Sequence, residues 1–462
     1  MKVDRKIGQK NFIWRKLIIV FFWLVVWQIV AWSVGNIILL EGPIGVVKRL
    51  FEDLQTVEYY QTVGASVLRI MGGLLCGVLL AVILGILAWK QRVAEEILLP
   101  LIQFIKVAPI TCFVVLLLIW AGAKNLAFYI ALLVSFPPVY FNFLEGLKQL
   151  DVKPLEVAKV YRMPWENRLR YIYLPGIKPY FISALTLAVG MAFKAGVAAE
   201  IIGTPDYSMG ESIYMSKIYL DTAGVLSWMV TIILVAYLCE KLLIRITEAY
   251  FSKRPLYQKK QGNKDNDGKK DITENIKLTD CTVSYEDEIV LENFNVEIST
   301  GKNYAITGKS GIGKTTLLKV LWGLKKVKAG EISGNSDIRA GVFQENRLFE
   351  EYTATENVFA TGQCSMEKEA VERALRELLQ EESLSKPIKE YSGGMKRRVE
   401  IARAMLSDSP IIIMDEPFTG LDDVTKEKTI VFMEKYRKER TILFTTHCPA
   451  DIKEVKAEEL KL

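Results

Sequence analysis

Gly308-Lys309-Ser310-Gly311-Ile312-Gly313-Lys314-Thr315 fits the spacing G-x-x-x-x-G-K-[ST]. Glycines so placed let successive backbone N–H groups converge on phosphate oxygens at the start of a helix, here the one beginning at Lys314. Working outward, a short strand, Asn303–Thr307, leads into this loop. Three features follow it in order: Tyr391-Ser392-Gly393-Gly394-Met395, the apolar Ile411-Ile412-Ile413-Met414 running into Asp415-Glu416, and His447, the only histidine of 462 residues. Apolar strands at Gly341–Phe343, Ile411–Met414 and Thr441–Thr445 alternate with helical patterns, and Ile276–Ser284 and Ile289–Ile298 alternate like strands ahead of the loop. That alternation predicts an α/β domain over 273–462.

The residue types specify nucleotide chemistry. Gly308, Ser310, Gly311 and Gly313 form the phosphate cradle, with Thr316 in the first turn of the helix behind it. Lys314 reaches the β- and γ-phosphates, and the Thr315 hydroxyl is a ligand for Mg²⁺. Asp415 ends a strand of four large apolar residues and is placed to hold Mg²⁺ through water. Glu416, next to it, is the candidate general base for the attacking water. ATP and Mg²⁺ are therefore the expected cofactors.

Half of the residues are hydrophobic, yet 24% are charged, which fits two unlike halves averaged together. Long apolar runs fill residues 1 to about 250, near Leu17–Leu40, Ser66–Trp89, Ile97–Trp120, Leu126–Leu147, Tyr180–Ala199 and Val225–Ile246. They predict an all-α transmembrane bundle of about six helices over 1–251. The first run follows a basic N-terminus and is too long for a signal peptide core. Lys and Arg concentrate between the fourth and fifth runs (Lys148, Lys153, Lys159, Arg162, Arg168, Arg170, Lys178), and Lys90 and Arg92 lie between the second and third. The positive-inside rule then places both termini in the cytoplasm of a multi-pass membrane protein. It also accounts for the net charge of +6, so no nucleic-acid partner is implied. Residues 252–272 are polar with no apolar period and read as a flexible linker. The six scattered cysteines read as reduced packing residues. Lys106 and Lys194 fall inside apolar runs, either snorkelling or paired (Lys194 with Glu200), or lining a pathway for an anion.

The ordered motifs after Gly308 resemble the ATPase subunit of ATP-binding-cassette transporters. The resemblance implies that Gln344, after the strand Gly341–Phe343, senses Mg²⁺ and the γ-phosphate. Ser392-Gly393-Gly394 is the core of the family's L-S-G-G-Q signature, with departures at Tyr391 and Met395. Asp422 belongs to the dimer-contact loop, His447 is the switch histidine, and Tyr285 fits the adenine-stacking position. In the family, ATP lies between the phosphate loop of one ATPase and the signature of a second, so a homodimer is implied.

Within the basic segment 148–178, Glu156-Val157-Ala158 followed by Ile172-Tyr173-Leu174-Pro175 resembles the E-A-A…G…I-x-L-P coupling motif of bacterial importer permeases of type I. Glu156 and Ala158 are its coupling residues. Its glycine position holds Arg162, which predicts a turn reshaped by Pro164. Phe136–Asn142 and Ala199–Gly203 resemble permeases of the nitrate, sulfonate and taurine importers. This implies ATP-driven import of a small anionic solute across the bacterial cytoplasmic membrane, delivered by a separate extracytoplasmic binding protein. The competing readings are a half-transporter exporter, an importer of a vitamin precursor, and a membrane-tethered ATPase that transports nothing.

Overall fold

The computed structural model describes residues 2–251, 275–285, 288–334, 339–380 and 383–462; the expected linker, 252–272, lies outside the described residues. The chain forms two compact units, one of Met1–Gln149 with Ile177–Lys253, the other of Leu150–Gly176 with Arg254–Leu462.

The helices run in the order α1 (Lys2–Val34), α2 (Pro43–Asp53), α3 (Val57–Lys90), α4 (Arg92–Val107), α5 (Ile110–Lys148), α6 (Val152–Val160), α7 (Trp165–Arg168), α8 (Leu174–Gly203), α9 (Met209–Ile218) and α10 (Thr222–Phe251). A π-helical turn, Leu169–Tyr173, joins α7 to α8. Among the described residues five helical stretches are long and apolar enough to cross a membrane: Trp14–Val34, Val57–Lys90, Ile110–Lys148, Trp165–Gly203 and Thr222–Phe251. The sequence predicts about six, and the difference lies in the third. Ala108, forced towards extended geometry by Pro109, splits Ile97–Trp120 between α4 and α5. The helix α5 then breaks at Gly122 (φ 73°, ψ 167°), a conformation open to glycine alone, and absorbs the fourth expected span as its second arm.

In the first unit α3 packs tightly on α5. Gly73, Gly77, Ala81 and Gly85 recur every fourth residue along α3. A Cβ on Gly73 would lie 2.1 Å from the Phe128 carbonyl oxygen, and one on Gly77 2.4 Å from Ser135 Oγ. Small residues at this spacing let two helix backbones approach within an apolar medium.

The second unit carries β1 (Ile276–Tyr285), β2 (Glu288–Ile298), β3 (Asn303–Thr307), α11 (Lys314–Leu321), β4 (Ala329–Ser333), β5 (Arg339–Val342), α12 (Ala354–Ala360), α13 (Lys368–Leu378), α14 (Gly393–Met405), β6 (Ile411–Met414), α15 (Asp423–Arg437), β7 (Thr441–Thr445), α16 (Pro449–Glu454) and β8 (Glu458–Lys461). One sheet has the order β2-β1-β4 and is antiparallel. The other is parallel, in the order β5-β6-β7-β3-β8. Strands β4 and β8 are largely exposed and carry no apolar run, which is why their sequences do not announce them. Of the six cysteines, all unpaired, Cys76, Cys112 and Cys448 are exposed and only Cys281 is fully buried, so packing does not explain all six.

Candidate functional site

Strand β3 lies inside the parallel sheet between β7 and β8, with Tyr304, Ala305 and Ile306 buried, and its end delivers the glycine-rich loop to one rim. Gly308, Gly311 and Gly313 have φ of 151°, 83° and 110°, angles that side chains resist. A Cβ on Gly313 would come 2.9 Å from Leu291 Cδ2, whereas one on Gly311 would meet nothing within 4 Å. The loop is thus backed by β2 and open on its other side. Lys314, nearly buried, folds back over the loop: its ammonium donates to the carbonyls of Gly308 at 2.7 Å and Lys309 at 3.1 Å. Thr316 is buried behind it.

The two acids follow β6 on the same rim. Parallel pairing sets Met414 against Phe444, so Asp415 and Glu416 meet Thr445. The Thr445 hydroxyl donates to Asp415 Oδ1 at 2.6 Å and accepts from the Glu416 N–H at 2.9 Å. His447 Nε2 lies 3.2 Å from Glu416 Oε1, and Thr419 Oγ1 donates to Glu416 Oε2 at 3.3 Å. A cavity of about 250 Å³ opens beside Glu416, Thr445 and His447. Sequence reasoning does not single out Thr445; its only signal is its position at the end of the strand that precedes His447.

Gln344 follows β5 with its side chain exposed, and its carbonyl accepts from Arg397 Nη2 at 2.5 Å. Ser392 caps α14, accepting from the Met395 N–H at 3.3 Å, and Gly393 is open: a Cβ there would meet nothing within 4 Å. Tyr391, one of the departures from the signature, is buried and donates to the Ser383 carbonyl at 2.5 Å. Asp422 caps α15 through the Thr425 N–H at 3.1 Å, and this bonding, with that of the Thr425 side chain, holds its carboxyl below the usual range. Tyr285 is 39% exposed and is no core residue; the ammonium of Lys325 sits 4.2 Å from its ring centroid. Among the described residues no hydrogen bond joins Ser392–Gly394 to the phosphate loop.

The segment 150–176 belongs to the second unit. Glu156 pairs with Arg347, Ala158 is buried, and the Tyr161 hydroxyl donates to the Gly341 carbonyl at 3.0 Å. Asn167 Nδ2 donates to the Ala360 carbonyl at 2.9 Å. Tyr352 donates to the Arg170 carbonyl at 2.9 Å, and burial pushes its phenol up to about 12. The ring of Tyr171 lies 4.7 Å from that of Tyr352. Arg162, at the motif's glycine position, has φ 44°, a left-handed conformation that costs a side chain about 1–2 kcal/mol. Pro164, two residues on, is the cap that precedes α7.

In the first unit, Lys106 is exposed with its ammonium 5.2 Å from the Phe141 ring centroid, and Lys194 is exposed on α8. The suggested pairing of Lys194 with Glu200 is not what forms. Glu200, fully buried, accepts from Ser66 Oγ at 2.8 Å and the Gly210 N–H at 3.2 Å, and Arg69 Nη1 lies 3.5 Å away.

The loop fits a nucleotide: its left-handed glycines and an ammonium already seated on two carbonyls leave room for phosphate at Gly311. For a metal the donors are a hydroxyl, a carboxylate and an amide oxygen (Thr315, Asp415, Gln344), and no cluster of three His, Cys, Asp or Glu occurs among the described residues. Sparse hard oxygen ligands suit Mg²⁺, which keeps waters and phosphate oxygens as its remaining ligands.

Comparison with known proteins finds two families in succession along the chain, the membrane match running through 150–176. Residues 291–419 match the family described as ABC transporter, and residues 73–256 match binding-protein-dependent transport system inner membrane components. The thiamine import ATP-binding protein ThiQ of Histophilus somni is 35% identical over 173 residues, 34% of this chain and 80% of that protein. The aliphatic sulfonates import ATP-binding protein SsuB of Bacillus subtilis is 37% identical over 171 residues, 34% of this chain and 66% of that protein. A solved ATP-binding subunit of an ABC transporter is 28% identical, covering 41% of this chain and 86% of its own, with a TM-score of 0.37.

Proposed function

Because the chain belongs to the ATP-binding-cassette importers, with a binding-protein-dependent permease fused to a transport ATPase, we propose that it imports a small anionic solute of the sulfonate, taurine or nitrate kind. A separate extracytoplasmic binding protein delivers the solute. The working unit is a homodimer in the bacterial cytoplasmic membrane, in which each ATP lies between the phosphate loop of one copy and Ser392-Gly393-Gly394 of the other. Residues 1–251 form the permease, 252–272 the linker and 273–462 the ATPase. The α4 helix and the first arm of α5 together make a broken crossing, so the crossings are even in number and both termini are cytoplasmic.

Lys314 and the N–H groups of the loop, with Gly308, Ser310, Gly311, Gly313 and Thr316, hold the phosphates, and Tyr285 stacks on adenine. Thr315, Asp415 and Gln344 would hold Mg²⁺, which supplies charge neutralisation at the phosphate oxygens. Glu416 takes the proton of the attacking water, while His447 fixes the glutamate and meets the γ-phosphate. Asp422 faces the second copy. Glu156, Ala158 and the rest of 148–178 pass closure of the ATPases to the permease.

The observation that carries the reading is that residues 150–176, continuous in sequence with permease helices, fold as part of the ATPase unit. The test is ATPase activity of the full chain in nanodiscs with a candidate binding protein loaded with an alkanesulfonate. Stimulation is expected, and stimulation only by a cationic solute would overturn the anionic assignment. A thiamine-like solute is the second reading, favoured by the ThiQ similarity; uptake of labelled thiamine against labelled taurine separates the two.

A further inference from the structure

Glu400 has no part in the hydrolysis described above, yet it lies fully buried in the second unit with three arginines around it. Arg397 Nη1 is 3.2 Å and Arg403 Nη2 3.9 Å from its carboxylate, and the backbone N–H of Arg347 donates to Oε1. A buried carboxylate with no such partners is strongly destabilising, so these groups stand or fall together.

Each arginine is also tied to the Gln344 loop or to the coupling segment. Arg397 donates to the carbonyl of Gln344 at 2.5 Å and to that of Phe343. Arg403 donates to the Arg347 carbonyl at 2.8 Å, and its guanidinium lies 5.3 Å from the Tyr161 ring centroid. The Arg347 side chain lies 4.1 Å from the Phe343 ring centroid and pairs with Glu156. Arg347 is thus held at its N–H and its carbonyl by α14, and at its guanidinium by α6. The same α14 begins at Gly393, after the Ser392 cap, only seven residues and about 10 Å of helix before Glu400.

We propose that Glu400 is a positioning residue that locks Arg347 to α14, so that movement of the signature end of this helix carries the Gln344 loop and residues 150–176 with it. This rests on the coupling role proposed for 148–178. A merely structural Glu400 would affect all parts of the unit alike, whereas a link predicts a selective loss beyond it.

The experiment is hydrogen exchange of the full chain in nanodiscs, with and without Mg²⁺ and the non-hydrolysable analogue AMP-PNP. In the unsubstituted chain the analogue alters exchange in peptides covering 308–316 and 150–176. In Glu400→Gln the change at 308–316 stays within about 2-fold, while that at 150–176 falls by about 5-fold or more. Glu156→Gln gives the same loss at 150–176 with 344–349 still responding, and the double variant loses no more than Glu400→Gln alone. If Glu400→Gln does not accumulate, Arg403→Lys, which keeps charge but loses the fork that faces the Arg347 carbonyl and Glu400 at once, must show the selective loss. An unreduced response at 150–176 in whichever variant folds overturns the link and leaves the coupling reading standing. Absence of any response at 150–176 in the unsubstituted chain overturns both.

Discussion

His447 Nε2 stands 3.2 Å from Glu416 Oε1, and the backbone N–H of that glutamate is pinned to Thr445 Oγ1 at 2.9 Å. The orientation of Glu416 is therefore fixed from two sides by residues of one strand and the turn after it. Glu416→Gln keeps the shape and removes the basic oxygen. Hydrolysis should fall about 100-fold or more with ATP still bound, and ATP-closed dimers should accumulate. Phosphate release and equilibrium ATP binding on the purified chain check this; near-normal turnover would remove Glu416 from the base role.

Lys314 already spans the loop, with its ammonium on the carbonyls of Gly308 and Lys309. Lys314→Ala removes both the loop's inner tie and the charge offered to phosphate. ATP affinity should fall about 10-fold or more, the value of losing charge-assisted hydrogen bonds. A titration with a fluorescent ATP analogue measures it, and unchanged affinity would count against the loop as the nucleotide site.

How far the sequence discloses all this depends on how local the physics is. The phosphate loop is legible because its backbone turns left-handed at three fixed positions, Gly308, Gly311 and Gly313, where glycine is the residue that turns without strain. The Asp415-Glu416 pair is legible because an apolar strand stops at it. Thr445 is not, since its contact with both acids is made by strand register across about thirty residues. Glu400 is harder still: charges at Arg397, Glu400 and Arg403 have the spacing of an ordinary solvated helix face, and only packing reveals that all three are buried. Arg162 shows a third kind of limit. A side chain can occupy a glycine's conformation when the surrounding turn holds it there, here through the Met163 N–H on the Ala158 carbonyl at 2.9 Å.

Glu156 and Arg347 form a half-buried ion pair inside the second unit. Glu156→Arg leaves two cations facing each other and should abolish transport stimulated by a binding protein, with basal hydrolysis persisting. Exchanging both, Glu156→Arg with Arg347→Glu, should restore at least part of the coupling, because an interaction of about 1 kcal/mol or more is regained across the pair. Stimulated and basal ATPase rates of the three variants decide it. Normal stimulation in Glu156→Arg alone would show that the pair carries no coupling.

Cys364 and Cys448 should differ sharply in reactivity. Burial pushes the Cys364 thiol up to about 11, while Cys448 is exposed. The folded pKa of Cys364 lies above the value of about 8.5 for a free thiol, so burial of the neutral thiol contributes stability fully present below pH 8.5 and lost as pH rises through 11. At pH 8 only about one Cys364 in a thousand is thiolate, so iodoacetamide should label Cys448 and spare Cys364. Labelling of Cys364 should climb about tenfold per pH unit towards 11. Equal labelling of the two at pH 8, read by peptide mass spectrometry, would mean that the Cys364 environment is open to water.

Lys106 and Lys194 lie within apolar helices, and neither charge has a carboxylate partner among the described contacts. Lys106 instead faces the π cloud of Phe141, and Glu200, the nearest candidate partner for Lys194 in sequence, is taken by Ser66, Gly210 and Arg69. A lysine at membrane depth costs about 2.5–3.5 kcal/mol on insertion scales, and that cost is offset where the group meets water or an anion. Methionine at either position keeps length and apolar packing and removes the charge. If the two line the pathway, Lys106→Met and Lys194→Met each lower uptake of a sulfonate while assembly and basal hydrolysis stay intact, and the double variant lowers it further. Uptake of labelled anionic and neutral solutes into proteoliposomes reads this directly, with the anion the more affected. Full anion uptake by the double variant would leave both lysines with a structural role only.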